Sequence, residues 1–242
     1  MKANEEIFLF FDERLKKNLM DVAEETAFNA GIIFNNTPTL VALSGPIPGM
    51  KGSDFTKAGR IVATSSTYGT QRDASQIIDE IHKRLKQTGR RIIFITVDDL
   101  TCTSNGKYLN FCFGLARGYS TALSMVRFGS LSDKEQEIVL SGLIMHELGH
   151  LYGLAADSNR KKTEFNIGMH CTDKYCVMQQ GLTMGEIRKN FSRVNEHRGH
   201  ADDVKLKYYC PLCMQDANNY FAPKKRNNFG SSRPLPPRRE AG

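Results

Sequence analysis

The sequence lacks the features that mark membrane, secreted and repeat proteins. No apolar run approaches the roughly 20 residues that a membrane-spanning helix needs, so we expect no membrane partner. The N-terminus carries acidic residues ahead of its short apolar stretch and has no small-residue cleavage site. This argues against a secretory signal and predicts a cytoplasmic protein. No internal repeat is found, which removes the repeat architectures.

Basic charge is scarce outside the end of the chain. The formal net charge is +7, and residues 223–242 hold six Lys or Arg against one Glu, or +5, which leaves only +2 for the rest. A nucleic-acid groove would need that charge on the folded body. We therefore expect a solvated, disordered basic tail and no nucleic-acid partner.

Length and composition are those of an ordinary globular chain. The 242 residues are 40% hydrophobic and 24% charged, which allows one domain with a sizeable core and a small appendage. Apolar runs predict strands and amphipathic spacing predicts helices. The strands are expected at residues 7–11, 92–97, 109–116 and 121–128, with a further short one at 40–43 inside the loop 36–58. The helices are expected at residues 15–31, 73–88, 132–150 and 183–194.

The strongest motif is His146-Glu147-Leu148-Gly149-His150, at the end of a helix that Ser132 and Glu135 begin as a capping box. Residues four apart lie on one helix face, so both imidazoles can bind one Zn²⁺. Glu147 lies beside the metal, outside its ligand set. There it can act as the general base, taking a proton from the zinc-activated water and passing it to the leaving amine.

A catalytic zinc needs a third protein ligand. The metzincin pattern HExxHxxGxxH fits HELGHLYG, but Ala156 stands where the third histidine would fall. Three residues stay open from the spacing alone: Asp157, Glu164 and His170. His197 and His200 are expected to be solvated loop residues.

Six cysteines divide into two groups. Disulfides are disfavoured in the cytosol, and Cys171-x4-Cys176 with the later CxxC of Cys210 and Cys213 has a spacing that suits a metal. Cys102 and Cys112 stand apart and are expected to be small apolar core residues instead of reactive thiols.

Together these motifs resemble the archaemetzincins, whose signature is HExxHxxGxxHC, four residues, CxM and a later CxxC. The resemblance runs over residues 68–213 and includes RDASQIIDEIHKRL, ITVDDL and LNFCFGLA. It implies that His170 is the third ligand of the catalytic zinc. It also implies that Cys171, Cys176, Cys210 and Cys213 hold a second, structural zinc that fixes the backbone next to His170, and that Met178 forms the methionine turn.

Two spacings depart from the family. Sixteen residues separate Gly153 from His170 where the signature has two, and thirty-one separate Met178 from Cys210. Extra loop length costs only about 0.6 kcal/mol per doubling, so an insertion after Ala155 leaves the ligands possible.

The predicted fold is zincin-like α/β (α+β): a twisted mixed sheet with a backing helix and the active-site helix, and a small zinc-stapled C-terminal subdomain. We expect an N-terminal subdomain at 1–153, a C-terminal subdomain at 154–222 and a disordered tail at 223–242. By resemblance, residues 121–128 would be the edge strand that binds an extended substrate.

The predicted function is that of a monomeric zinc metallopeptidase that cleaves a peptide or protein substrate, with one catalytic and one structural Zn²⁺ and with Glu147 as base. The alternative is a non-catalytic zinc-binding protein that uses the cysteine module and the basic tail to bind a partner or nucleic acid.

Overall fold

The structure, a computed structural model, describes residues 6–35, 40–41, 51–65, 67–85, 90–104, 107–156, 161–165, 168–198, 200–201 and 204–221. The predicted tail at 223–242 and one candidate ligand, Asp157, lie outside the described residues. None of the described helices is both long and apolar enough to cross a bilayer.

The described residues form strands and helices in alternation. The strands are β1 (Glu6–Phe11), β2 (Leu40–Val41), β3 (Ile61–Ser65), β4 (Gly69–Asp73), β5 (Arg90–Thr96), β6 (Asp99–Ser104), β7 (Lys107–Cys112), β8 (Gly114–Arg117), β9 (Ser120–Ser124), β10 (Thr163–Phe165) and β11 (Met169–Cys171). The helices are α1 (Lys17–Asn35), α2 (Gly52–Ala58), α3 (Ala74–Leu85), α4 (Asp133–Leu151), α5 (Met184–Arg198), α6 (Val204–Tyr208) and α7 (Pro211–Phe221), with a 3-10 turn at Val126–Phe128.

The main sheet is mixed and has the order β2-β1-β5-β9-β8. β1 runs parallel to β2 and β5, and β5 runs parallel to β9, while β8 returns antiparallel to β9. Successive residues of β1 face opposite sides of the sheet. Ile7 and Leu9 pack with α1 and α4, and Phe8 and Phe10 pack with α2 and α3. The sheet therefore lies between two helical layers, which confirms the predicted α/β class.

The predicted edge strand at residues 121–128 was wrong. The segment contributes β9, which pairs with β5 on one side and β8 on the other, so it lies inside the sheet. The reason is the hairpin at Gly118, whose positive φ of 65° lets the preceding segment fold back along the outer side of β9. β8 is consequently the edge of the described sheet.

The segment LNFCFGLA is divided between two sheets. Its first half belongs to β7, which ends a second sheet of order β3-β4-β6-β7, and its second half is β8 of the main sheet. Sequence reasoning missed α2, which lies in a segment expected to be loop, and also α7 and the β10–β11 hairpin. α2 and the two hairpin strands are short and have few apolar residues, so periodicity does not reveal them.

The C-terminal segment packs against α4 around Gly142 and Met145. Phe191 of α5 lies against Gly142, where an added Cβ would come within 2.4 Å of the phenyl ring. The buried Tyr209 hydroxyl donates a hydrogen bond of 2.6 Å to the carbonyl of Met145. Both contacts hold the chain that follows the HELGH motif close to that motif. The division into subdomains at residue 153 stays a prediction.

Candidate catalytic cleft and metal centres

Helix α4 carries His146 and His150 one turn apart. Its N-terminus is formed by the predicted capping box, in which Ser132 and Glu135 bond each other's backbone N–H groups. The ring of His146 is buried, and its Nδ1 lies 2.8 Å from the carbonyl oxygen of Val177. Because Nδ1 donates to this carbonyl, the lone pair of Nε2 is free to bind a metal.

The third histidine, His170, comes from strand β11. Its Nδ1 lies 3.2 Å from the carbonyl oxygen of Gly168, which again leaves Nε2 free. The ring centroid of His170 is 5.2 Å from that of His146 and 5.0 Å from that of His150. One nitrogen of each ring lies within 4.8 Å of the others. The structure thus brings His170 together with the two helix histidines.

The three rings fit a zinc ion. The Nε2 atoms of His146 and His150 are 3.2 Å apart. Two nitrogens bound at 2.0–2.1 Å to one tetrahedral zinc would be separated by about 3.3 Å. Burial lowers the pKa of all three histidines, that of His170 to about 3 with a further contribution from His146. The rings are therefore in the neutral form that metals bind.

The other two candidate ligands are not in this cluster. Glu164 lies opposite His170 in the antiparallel β10–β11 pair, but its side chain is exposed and does not belong to the histidine group. Asp157 lies outside the described residues, so the structure does not bear on it. The insertion that separates His170 from the family spacing contains β10, which pairs with the strand that carries the histidine.

Glu147 is buried beside the histidines and faces the edge strand β8. Burial raises the pKa of its carboxyl group to about 8, a nearby Cys102 charge raises it further, and a hydrogen bond from the backbone N–H of Ala116 opposes both. This environment favours a carboxyl group that can exchange a proton near neutral pH.

Gly114 makes room for that carboxylate, and sequence reasoning missed it. A Cβ at this position would lie 2.6 Å from Oε1 of Glu147 and 2.7 Å from the side chain of Leu123. A glycine inside a strand signals a close approach of another group, and Gly114 interrupts the otherwise apolar run FCFGLA. The sequence therefore contained the signal, but it did not show that Glu147 is the group that approaches Gly114.

The four late cysteines form a second cluster. The Sγ atoms of Cys171 and Cys210 are 3.7 Å apart, and those of Cys176 and Cys213 are 3.5 Å apart. Two sulfurs bound at about 2.3 Å to one tetrahedral zinc would be separated by about 3.8 Å. All four are buried and lie within 4.8 Å of one another. The donor set fits a closed tetrahedral metal site.

Hydrogen bonds within this cluster shift the pKa values of the four thiols in different directions. A hydrogen bond from Cys176 is the main cause that lowers the pKa of Cys171. A hydrogen bond from Cys171 is the main cause that lowers the pKa of Cys210. A bond with Cys171 raises the pKa of Cys176 and of Cys213. In addition, the backbone N–H of Cys210 lies 3.4 Å from Sγ of Cys176, a donor that would stabilise negative charge on that sulfur.

Strand β11 connects the two clusters. Neighbouring residues of a strand point to opposite faces, so His170 faces the histidines while Cys171 faces the cysteines. The backbone N–H of Cys171 donates to the carbonyl of Met178 at 3.0 Å. Met178 is fully buried and lies under Gly149, where an added Cβ would come within 2.2 Å of its sulfur. Met178 therefore forms an apolar floor beneath the histidine helix.

The remaining histidines, His82, His197 and His200, belong to neither the histidine cluster nor the cysteine cluster. His197 and His200 are exposed, as expected, but His197 lies in the last turn of α5 and not in a loop. The ring of His197 stacks on Tyr175 at 3.9 Å. His82 contacts the hydroxyl of Ser120 at 3.0 Å and stacks on Tyr119. Among the described residues, none of the three belongs to a group that could hold a metal.

The histidines and Glu147 open into a cleft of about 580 Å³ between β7, β8 and the segment after Met178. Its walls are mainly apolar, and among the described residues that line it Glu147 carries the only acidic side chain and no Lys or Arg is present. The apolar lining residues include Leu109, Phe111, Leu115, Leu143, Leu182 and Ile187. The carboxylate and the rings thus meet a surface that suits uncharged side chains.

This combination of a mixed sheet, an HExxH helix and a clustered third histidine defines a zincin-like α/β fold. No family model and no curated protein sequence matches the chain. The crystal structure of archaemetzincin from Methanopyrus kandleri is similar, with a TM-score of 0.58 and 18% identity, covering 90% of this chain and 95% of that one. Archaemetzincin from Archaeoglobus fulgidus, solved with malonate, has a TM-score of 0.51 and 17% identity, covering 87% and 99%. The chain has the archaemetzincin fold, as the sequence motifs predicted.

Proposed function

We propose that this chain is a zinc metallopeptidase that hydrolyses peptide bonds of peptide or protein substrates. The observation that carries the proposal is the position of Glu147, a buried carboxyl group beside three converging histidines in an open cleft. A site that only stored or scaffolded a metal would not require a base at this point. The likeness to archaemetzincin structures supports the same assignment.

His146, His150 and His170 would hold the zinc ion and leave one coordination position open. When bound, the ion supplies a water of lowered pKa and a positive charge that polarises the scissile carbonyl. The carbonyls of Val177 and Gly168 hold two of the three rings in the required tautomer.

Glu147 would transfer the proton. Its carboxylate accepts a proton at Oε as the water attacks and then donates it to the leaving nitrogen of the substrate. The N–H of Ala116 holds the carboxylate toward the cleft, and the missing side chain at Gly114 leaves the space that it occupies.

The substrate would lie extended along β8. This strand is the edge of the described sheet, and its residues Gly114, Leu115 and Ala116 line the cleft. Strand addition uses backbone hydrogen bonds, so side-chain preference must come from the walls. The apolar walls around Leu143, Leu182 and the other residues described above favour substrates with apolar side chains near the scissile bond.

Glu147→Gln tests the proposal, because it keeps the shape of the side chain but removes the base. In the zinc-loaded protein we expect cleavage of a broad peptide library to fall about 10²- to 10⁴-fold, with zinc content unchanged. Glu137→Gln, a matched change on the same helix, should leave cleavage intact. Equal cleavage by Glu147→Gln and the parent would refute the role of Glu147. Absence of cleavage by the zinc-loaded parent would favour the non-catalytic zinc-binding protein.

A further inference from the structure

Cys102 and Cys112 belong to none of the metal-binding motifs of the sequence, but the fold brings the two residues into contact. Cys102 lies on β6 and Cys112 on the antiparallel neighbour β7. Cys102 pairs with Leu109 and Cys112 pairs with Leu100, with a bulge between these two pairs. The four side chains share one face of the sheet, and the two thiols hydrogen-bond to each other. The expectation that both are buried core residues is confirmed, and the fold also places the two thiols together.

The two cysteines belong both to the hydrophobic core and to the wall of the cleft. Both residues belong to the apolar core on the α3 side of the main sheet, with exposed fractions of 3% and 7%. Both also line the cleft that contains Glu147. A hydroperoxide is small enough to enter this cleft of about 580 Å³, whose wall contains both residues.

The two thiols are not equivalent. The hydrogen bond from Cys112 holds the pKa of Cys102 below its usual value, although burial opposes this. The same bond and burial raise the pKa of Cys112 well above the ordinary range. Because the thiolate is the reactive form, this difference favours Cys102 as the nucleophile and Cys112 as the resolving thiol.

We propose that Cys102 and Cys112 are a redox-active pair that a hydroperoxide oxidises to a disulfide in the wall of the cleft. The sulfur of Cys102 attacks one peroxide oxygen, the O–O bond breaks, and the departing hydroxide takes up a proton to become water. The sulfur of Cys112 then displaces hydroxide from the sulfenic acid, which forms the S–S bond and a second water. Two thiols lose two electrons, and one hydrogen peroxide is reduced to two waters.

The site is distinct from both metal centres and does not depend on the peptidase proposal. The bond would join β6 to β7, the strand whose residues Leu109 to Cys112 form one wall of the cleft. Oxidation would thus crosslink this wall within reach of Glu147, whose charge acts on Cys112.

The sequence allows the bond to be mapped directly. Lys107 lies between the two cysteines, so trypsin places Cys102 in peptide 92–107 and Cys112 in peptide 108–117. The other four cysteines fall in other tryptic peptides. The zinc-loaded full chain is treated with stoichiometric hydrogen peroxide, alkylated under denaturing conditions, digested and analysed by mass spectrometry. We expect peptides 92–107 and 108–117 joined by a disulfide that dithiothreitol removes.

Recovery of both peptides as separate alkylated species, at a peroxide dose that oxidises free cysteine, would overturn the proposal. The same experiment on two matched variants assigns the roles. In Cys112→Ser, Cys102 should stop at a sulfenic acid that dimedone traps. In Cys102→Ser, Cys112 should react with peroxide at least about 10-fold more slowly. Equal rates in the two variants would refute the assignment of nucleophile and resolving thiol, and the mapping of the unmodified chain needs neither variant to fold.

Discussion

The histidine and cysteine clusters differ in their openness more than in their position. The histidine cluster has three donors, faces the cleft and is accompanied by Glu147. The cysteine cluster has four donors, all fully buried, with no lining residue in that cleft. Three ligands leave a coordination position for water, whereas four close the tetrahedron. The same kind of ion would therefore serve reaction in one cluster and stability in the other.

The two clusters also depend on each other unequally. Strand β11 delivers His170 to one and Cys171 to the other, but two of the histidine ligands belong to the long helix α4, which also packs against α1. The cysteines lie on the short strand β11, on the turn that follows it and at the start of α7. Loss of the cysteine site should therefore disturb the histidine site, while loss of the histidine site should leave the cysteine site intact.

The largest effect is expected from Cys210→Ser. A structural zinc site contributes on the order of 10 kcal/mol of apparent binding free energy, comparable to the whole stability of a domain. We expect the variant to lose the cysteine metal and to lose peptide cleavage. We also expect trypsin to cut it at Lys and Arg residues that follow residue 169 in the sequence. Zinc per chain by elemental analysis, together with limited proteolysis, measures this.

Cys102→Ser controls for removal of a buried thiol outside the cluster and should retain two zinc ions per chain. Two zinc ions in Cys210→Ser would show that Cys210 is not a ligand. The unequal dependence of the two sites would then lose its basis.

A smaller structural effect, but a complete loss of cleavage, is expected from His170→Ala. The variant should contain one zinc per chain and keep its resistance to trypsin, because the cysteine cluster remains. Glu164→Ala, at the facing position of the hairpin, should keep both ions and full activity. If Glu164→Ala loses an ion and His170→Ala does not, the ligand set proposed for the histidine site is wrong.

Gly114→Ala tests the space for the base without touching a ligand. The added Cβ would lie 2.6 Å from Oε1 of Glu147, so the carboxylate must move. Misplacement of a catalytic group by about 1 Å can cost about 10²-fold in rate, and we expect a loss of that order with zinc content unchanged. Gly129→Ala is the matched control, since its nearest atom would be 3.4 Å away and its φ is −61°. Equal rates for the two variants would contradict the role of Gly114.

The smallest effect concerns His82, a histidine outside both sites that serves as a reference for the site histidines. Burial, and then the charge of Arg117, lower its pKa below 6.5, with Asp79 opposing. Below about pH 6.5 the unfolded chain binds this proton before the folded chain does, so stability falls as pH falls through that window. His82→Asn should show a shallower fall.

Urea denaturation midpoints of the zinc-loaded parent and of His82→Asn, taken from pH 7 down to pH 5, measure this difference. Both proteins contain the same site histidines, so the difference between their slopes isolates His82. Parallel pH profiles would show that His82 does not titrate differently in the folded and unfolded chains.

The sequence by itself determined the elements whose signals are local. The capping box and the HELGH spacing predicted helix α4 and its metal-binding face, because residues four apart in a helix must share that face. The apolar runs predicted β1, β5 and β9. The spacing of the four late cysteines indicated a metal site, and the family motifs supplied His170, which spacing alone left open against Asp157 and Glu164.

Only the tertiary structure decided which groups meet across the sheets. It exchanged the order of β8 and β9, so that the edge of the sheet is the strand that carries Gly114 and Ala116. It placed the carboxylate of Glu147 against that edge and brought Cys102 to Cys112. Such contacts join residues distant in sequence, and they depend on strand order and register, which a one-dimensional pattern of apolar and polar residues does not contain.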